Sequence, residues 1–315
     1  MNSHKLSNFY LKDTSFANLM QKRIFNVLLI ASRYDTFILE DDGRVDEQIF
    51  MEYASLNLRY PPRFTQVNTH KEAFEELASK RFDLVISIPG MENSDNFEQA
   101  KKIKKIYPDI PIVILTPFSR EVSQRLSNED LSAIDYVFSW LGNADLLLAI
   151  IKLLEDKMNV EEDVNSVGVQ VVLFVEDSIR FYSSILPHLY KFVLQQSQIF
   201  STEALNEHER MLRMRGRPKI LMARSYEEAI EIFDKYKNNL LGVVSDISFM
   251  RNGEKDKLAG VEFCSYVREK DESLPIILDS SEEKNLYYAS KLNASFLDKN
   301  SKKFSVDLRK TILRN

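Results

Sequence analysis

The sequence predicts an α/β protein built from two doubly wound units, each a five-stranded parallel sheet with helices on both faces. Three observations carry this reading. Short apolar runs rich in β-branched residues recur along the chain, among them Asn26 to Arg33 (NVLLIASR) and Val171 to Ser178 (VVLFVEDS), and they have the length of buried strands. The segments between them have helical spacing, two of them opened by a capping box. The order of elements then repeats once, from first strand to last helix.

Composition bounds the rest. A chain of 315 residues suggests two domains, and 44% hydrophobic with 28% charged residues is ordinary for soluble globular protein. A net charge of −5 speaks against general affinity for nucleic acid or an anionic membrane. The single cysteine, Cys264, excludes an internal disulfide and a multi-cysteine metal site, and fits a reducing cytosol. No apolar run reaches transmembrane length, and the start MNSHKLSNFYLKD lacks a secretion signal's apolar core, so a cytoplasmic protein is expected. With 8 glycines, no Gly-rich phosphate loop can be found.

Residues 1–22 are polar and predict an arm with a short helix at SFANLMQKR. The unit at 23–159 begins with the strand NVLLIASR. A helical stretch from Val45 to Leu58 is stopped by Tyr60-Pro61-Pro62. FTQVN is a short strand, and Thr69 to Glu72 is a capping box that places Ala73, Phe74 and Leu77 on one helix face. The strand Phe82 to Ile88 breaks at Pro89-Gly90. The helix Asn96 to Ile106, the strand IPIVILT ending at Thr116, a helical or loop region and the strand Asp135 to Trp140 follow. The apolar helix ADLLLAIIKLLEDKM closes the unit. Residues 160–168 are acidic and polar, a linker into which that helix can run as a stiff connection.

The unit at 169–315 repeats the pattern. VVLFVEDS answers NVLLIASR, and Ser225 to Glu228 is a second capping box. LLGVVSDIS answers FDLVISIPG, LPIILDSS answers IPIVILTPF, SFLDKNS answers DYVFSWLGN, and FSVDLRKTIL is the last helix. Between its first two strands lies an extended segment, Ser178 to Arg215. Its first half has a wide apolar face (Ile185, Leu186, Leu189, Tyr190, Phe192, Val193), with Pro187 predicting a kink or a helix start. Its second half, TEALNEHERMLRMR, could pack on the first copy or on a second chain, which would make a homodimer.

The strand ends of the second unit carry chemistry. The first ends at Glu176 and Asp177, the third at Asp246, the fourth at Ser280 and the fifth at Lys299. Tips of parallel strands converge on one edge of the sheet, where open α/β folds bind ligands. Adjacent carboxylates repel unless a cation holds them, and a hard divalent ion such as Mg2+ suits oxygen ligands. Asp246 is then a carboxylate nucleophile of the aspartyl-phosphate kind, with Lys299 neutralising and Ser280 hydrogen-bonding the phosphoryl group. In the first unit Ala31-Ser32, Ile88 and Trp140 stand at the matching places and only Thr116 remains; Asp35 and Asp83 lie off the tips.

Across residues 169–315 this pattern resembles the receiver domain of two-component response regulators, a flavodoxin-like fold. LPIILDS, with Ser280 the fifth residue after Pro275, matches the family's fourth strand, and Phe296, three before Lys299, matches its switch aromatic. The resemblance implies phosphorylation of Asp246 by a histidine kinase or phosphotransfer protein. It implies Mg2+ on Glu176, Asp177, Asp246 and the backbone carbonyl of Ser248, and no enzyme activity beyond phosphoacceptance. The first unit resembles a pseudo-receiver, an interaction module. Three features depart from the pattern: the long segment Asp246 to Gly260 without its usual proline, the extra acid Asp279, and Asn300 after Lys299. Asp279 could point away from the site or disfavour phosphate by repulsion. LMQKRIFNVLLIASRYD, FILEDDGRVDEQIF and LNEHERMLRMRGRPKIL look like the amino-terminal part of large bacterial proteins with a phosphoenolpyruvate synthase or pyruvate phosphate dikinase-like region. That implies an output domain or enzyme on a longer chain. The alternative is two silent interaction modules regulating an attached or partner enzyme. A phosphatase with an Asp nucleophile needs a second Asp where Ser248 stands.

Weaker signals take bland readings. His208 is an exposed helix histidine. Arg215 to Lys219 (RGRPK) runs straight into a strand, which argues against a DNA-binding hook. Cys264 lies on a helix face with Phe263 and Val267 and reads as buried. Lys101, Lys102, Lys104 and Lys105 make a solvated face. Of Phe138 and Trp140, one belongs to the core.

Overall fold

The computed structural model describes residues 17–39, 43–89, 96–117, 130–140, 144–201 and 213–314. The chain divides into two compact units: Lys22–Leu154 with Tyr182–Pro187, and Glu155–Phe181 with His188–Asn315 and the amino-terminal segment that ends at Gln21. Among the described residues no helix is long and apolar enough to cross a membrane.

The first unit contains β1 (Asn26–Ile30), α1 (Arg33–Leu39), α2 (Val45–Ser55), β2 (Arg63–Val67), α3 (His70–Ser79), β3 (Leu84–Ser87), α4 (Asn96–Ile106), β4 (Ile112–Pro117) and β5 (Tyr136–Trp140). Its strands form one parallel sheet in the order β2-β1-β3-β4-β5. This is the doubly wound order whose switch point lies between β1 and β3. The strand cores are buried on both faces, which is why they read as continuous apolar runs. Leu28, Ile30, Val85 and Ile112 pack with Ala73 and Leu77 of α3 and Ala100 and Ile103 of α4. The expected capping box is present: Thr69 Oγ1 accepts from Glu72 N at 3.2 Å, and the Glu72 carboxylate accepts from Thr69 N at 3.3 Å and Asn68 N at 2.9 Å. Two expectations need correction. The chain turns helical at Arg33 rather than first at Val45, and α2 stops at Ser55, before the Tyr60-Pro61-Pro62 break, with Asn57 at φ 47° and Tyr60 at φ 60°.

Helix α5 (Asp145–Val167) begins as the closing apolar helix and continues through the acidic stretch 160–167. It ends where Gly168 takes φ +70°, a left-handed conformation that costs glycine little.

The second unit contains β6 (Val171–Val175), α6 (Ile179–Ser201) apart from its Tyr182–Pro187 segment, β7 (Lys219–Ala223), α7 (Tyr226–Tyr236), β8 (Leu240–Asp246), β9 (Phe249–Arg251), β10 (Glu254–Asp256), α8 (Ala259–Lys270), β11 (Ile276–Ser280), α9 (Leu286–Lys291), β12 (Ser295–Asp298) and α10 (Phe304–Arg314). Five strands form a parallel sheet in the order β7-β6-β8-β11-β12, the same winding as the first unit. Its core joins Leu173, Val175, Val243, Ile276 and Leu278 of the sheet to Ala229 and Phe233 of α7 and Phe263, Cys264 and Val267 of α8. Ser225 Oγ accepts from Glu228 N at 3.2 Å, but the Glu228 carboxylate accepts from Arg224 N at 2.6 Å, so the second capping box closes one residue earlier than expected. Pro187 lies inside α6 and does not start it. Ile185, Leu186, Leu189, Tyr190 and Val193 are buried and Phe192 is half-buried. Residues 202–212, which include His208 and most of the expected projecting half, lie outside the described residues.

The basic run RGRPK is consumed internally. Arg217 is buried and pairs with Asp156 of α5 at 2.7 Å, and Asp156 also accepts from Tyr190 Oη and Ile220 N at 3.0 Å each. Lys219 is buried against Asp163 at 3.0 Å. Arg215 donates to the Ala17 carbonyl at 2.6 Å.

Candidate functional site

The parallel ladder of the second unit brings its strand ends to one edge. Val175 pairs with Ser245, so Glu176, just after β6, and Asp246, the last residue of β8, stand at neighbouring positions; Asp279 of β11 pairs with Asp246, and Lys299 N donates to the Ser280 carbonyl at 2.9 Å. Ligand oxygens of Glu176, Asp177 and Asp246 lie within 4.8 Å of one another.

Lys299 is the hub. Its buried Nζ donates to Glu176 Oε2, lies 2.8 Å from Asp246 Oδ1 and 3.5 Å from Asp279 Oδ1, and sits 4.5 Å from the centre of the Phe181 ring. Burial disfavours its charge, but Asp279, Glu176 and Asp246 outweigh that and raise its pKa. The reverse holds for two of the acids. Burial, against the opposing pull of Lys299, raises the carboxyls of Glu176 and Asp279, and the neighbouring carboxylates push the same way. Asp279 is fully buried and neither of its oxygens has a hydrogen bond. Of the two orientations the sequence left open, it takes the inward one, toward Lys299. Asp246 Oδ1 accepts from Ile247 N at 2.8 Å, so Lys299 and the backbone both engage the same oxygen.

The remaining expected residues fall nearby in the chain but differ in setting. Ser280 is buried, and its Oγ accepts from Glu282 N at 3.1 Å and Asn285 Nδ2 at 2.8 Å. Phe296 is half-buried on β12 and packs against the core of the unit. Ser248 is half-buried in the bend after β8. Asn300, where proline was expected, donates through Nδ2 to the Ser281 carbonyl at 2.9 Å.

Three contributors were not foreseen. The long segment after Asp246 folds into the hairpin β9–β10, turned by Asn252 and Gly253 at φ 51° and 81°. Both central residues at positive φ mark a type I′ turn, and the Asn-Gly pair was the signal that could have found it. The hairpin brings Lys255 Nζ to 2.6 and 2.8 Å from the two Asp177 oxygens. Gly260, in the first turn of α8, donates to the Ile247 carbonyl at 2.9 Å, and a Cβ there would lie 2.0 Å from the Asp246 carbonyl oxygen. Phe181 closes one side of Lys299.

The first unit shows what the same scaffold does without these groups. Ala31 N donates to the Val67 carbonyl as Glu176 N does to that of Ala223, and Ser87 pairs with Ile30 as Ser245 pairs with Val175. By register Ala31 and Ser32 stand for Glu176 and Asp177, Ile88 for Asp246, Leu115 for Asp279, Thr116 for Ser280 and Trp140 for Lys299. Phe138 is fully buried and Trp140 half-buried. Asp83 accepts from Phe25 N and Asn26 N at 2.9 Å, at the opposite edge of the sheet, and Asp35 accepts from Ser32 Oγ at 2.5 Å.

No protein-family model and no curated protein matches the sequence. Among solved structures, the chain is similar to a two-component system response regulator/GGDEF domain protein at 14% identity and TM-score 0.37, over 92% of this chain and 98% of that one. It is similar to the signal receiver domain of an HD domain-containing protein from Pseudomonas fluorescens Pf-5 at 22% identity and TM-score 0.29, over 44% of this chain and 97% of that one. The phosphorylated cyanobacterial phytochrome response regulator RcpA matches at 20% identity and TM-score 0.31, over 43% of this chain and 93% of that one.

Proposed function

We propose that the second unit is a phosphoacceptor of two-component signalling and that Asp246 takes the phosphoryl group. The observation that supports this most is the cluster itself. Glu176, Asp177 and Asp246 meet at one strand edge, Lys299 bridges two of them, and the equivalent positions of the first unit carry no acid. Lys299 and Ile247 N both engage Oδ1, which leaves Oδ2 of Asp246 as the oxygen to attack phosphorus. With a phosphohistidine donor from a histidine kinase or phosphotransfer protein, the new bond is Oδ2–P and the P–N bond breaks, its electron pair leaving with the imidazole.

The donor set fits a hard divalent cation: three carboxylates with oxygens close enough to share one ion, and a surplus of buried acid. Glu176, Asp177 and Asp246 would hold Mg2+, with the Ser248 carbonyl completing the protein's ligands. Bound there, the ion would supply charge neutralisation for the phosphoryl oxygens. Lys299 contributes a fixed positive charge beside the acceptor, and Ser280 offers a hydroxyl to the attached group. In this reading Phe296 and the end of the sheet respond to that attachment, the first unit binds a partner, and the output belongs to a further domain or enzyme, on this chain if it continues or on a partner.

The test is incubation with acetyl phosphate or beryllofluoride and Mg2+, read by intact mass and by amide shifts. A gain of one phosphoryl group in the native chain and none in Asp246→Asn is expected. No gain, or a gain that persists in Asp246→Asn, refutes the assignment.

A further inference from the structure

Each acid of the cluster is already held by an ammonium group. Lys299 serves Glu176 and Asp246 from within, and Lys255 serves Asp177 from the hairpin. The two lysines differ in what holds them. The Lys299 side chain is 2% exposed, whereas that of Lys255 is 49% exposed and reaches its partner along a flexible stem. The hairpin itself is anchored elsewhere. Phe249 is buried, Arg251 pairs with Asp256 at 3.4 Å and with Glu262, its guanidinium lies 4.3 Å from the Tyr226 ring centre, and Asn252 N donates to Glu227 at 3.0 Å. The Lys255 side chain can therefore withdraw while the hairpin stays docked.

We propose that Lys255 is a built-in cation that holds the place of a divalent metal on Asp177, so that Lys255 and the metal exclude each other there. This rests on the metal reading of the Glu176, Asp177 and Asp246 cluster. The physics is direct. Lys255 engages both Asp177 oxygens, and a divalent ion on either of them would stand within a few ångströms of the ammonium, where two positive charges repel strongly. The lysine yields because its head returns to water with little loss, a partly exposed ion pair being worth at most about 1 kcal/mol, a factor of about five in affinity. The device sets a threshold: the site fills only when metal is abundant enough to displace its own lysine. Filling it also turns an ammonium outward beside Asp177.

Calorimetric titration of the whole chain with Mg2+ tests this on the native protein, Lys255→Met, Lys255→Arg and Lys257→Met. Lys257 is exposed and lies two residues on, so its loss changes net charge equally without touching Asp177. Lys255→Met is expected to bind Mg2+ more than twofold and up to about fivefold tighter, with Lys255→Arg and Lys257→Met within about twofold of native. In the native chain the Lys255 amide signal should shift on adding Mg2+. Unchanged or weaker binding by Lys255→Met overturns the exclusion while leaving the metal site standing, as does an equal gain in Lys257→Met. No binding by native and Lys255→Met alike overturns both.

Discussion

Gly260→Ala is a one-atom probe of how Asp246 is held. An added Cβ would lie 2.0 Å from the Asp246 carbonyl oxygen, 2.8 Å from Ile247 Cα and 2.9 Å from the Asp246 carbonyl carbon. The first contact is about 1.4 Å short of ordinary van der Waals separation, and all three atoms belong to backbone, so no side-chain rotation relieves it. Either α8 moves outward or the tip of β8 moves with Asp246 on it. Overpacking of this kind costs about 1–3 kcal/mol. In a unit of this size that lowers the melting temperature by about 2–4 °C per kcal/mol. The Gly260 N bond to the Ile247 carbonyl ties the same tip to the helix, so the displacement reaches Asp246, the proposed acceptor. Misplacing a reacting group by about 1 Å costs about a hundredfold in rate. Urea unfolding and the rate of Asp246 phosphorylation from acetyl phosphate measure both effects. Gly43→Ala in the first unit is the control: its φ of +121° is strained for alanine, but the nearest atom, Gln48 Cγ, lies 4.0 Å away, so it should lose about 1 kcal/mol without changing the phosphorylation rate. A Gly260→Ala protein with native stability and native rate would refute the close packing of α8 on Asp246.

Two further tests concern buried charge. Glu176 and Asp279 have raised carboxyl pKa values in the folded state and ordinary ones near about 4 when unfolded, so above about pH 4 the native state binds more protons than the unfolded one. In the metal-free protein the contribution of these two groups to stability is therefore greatest below about pH 4 and falls as pH rises through the raised values. The urea midpoint should drop between about pH 5 and about pH 8, less so in Glu176→Gln, and an equal drop in both would show that Glu176 is not the cause. Asp156→Ala leaves Arg217 buried and uncompensated and should destabilise by about 3–5 kcal/mol; a loss below about 1 kcal/mol would mean that water reaches the guanidinium.

The sheets were legible because parallel strands buried on both faces are written as apolar runs, and a doubled pattern makes each run corroborate its counterpart. Glu176, Asp246, Ser280 and Lys299 were legible for a topological reason, since strand tips in a doubly wound sheet must share an edge. What the pattern concealed was set by non-local packing. Lys255 reaches Asp177 across 78 positions of sequence through a hairpin whose strands are three residues each, too short for periodicity to show. Gly260 reads as an ordinary small residue until α8 is placed against Asp246. The inward turn of Asp279 depends on a lysine twenty residues away.

The two units together support the proposal that the acids of the second serve chemistry rather than folding. A buried ionic cluster is no advantage to a sheet edge: desolvating charge is costly, and apolar residues of similar volume commonly serve stability as well or better. The first unit is that replacement made within one chain. Leu115 fills the place of Asp279, Ile88 that of Asp246, Ala31 that of Glu176 and Trp140 that of Lys299, and the strand order and the register at the strand tips are unchanged. The same winding therefore forms without any of the four charged groups. In the second unit they persist against raised carboxyl pKa values and an acid with no hydrogen bond, both signs of a destabilising arrangement. Under the proposed function, an arrangement the fold does not need serves to hold a cation and a phosphoryl group.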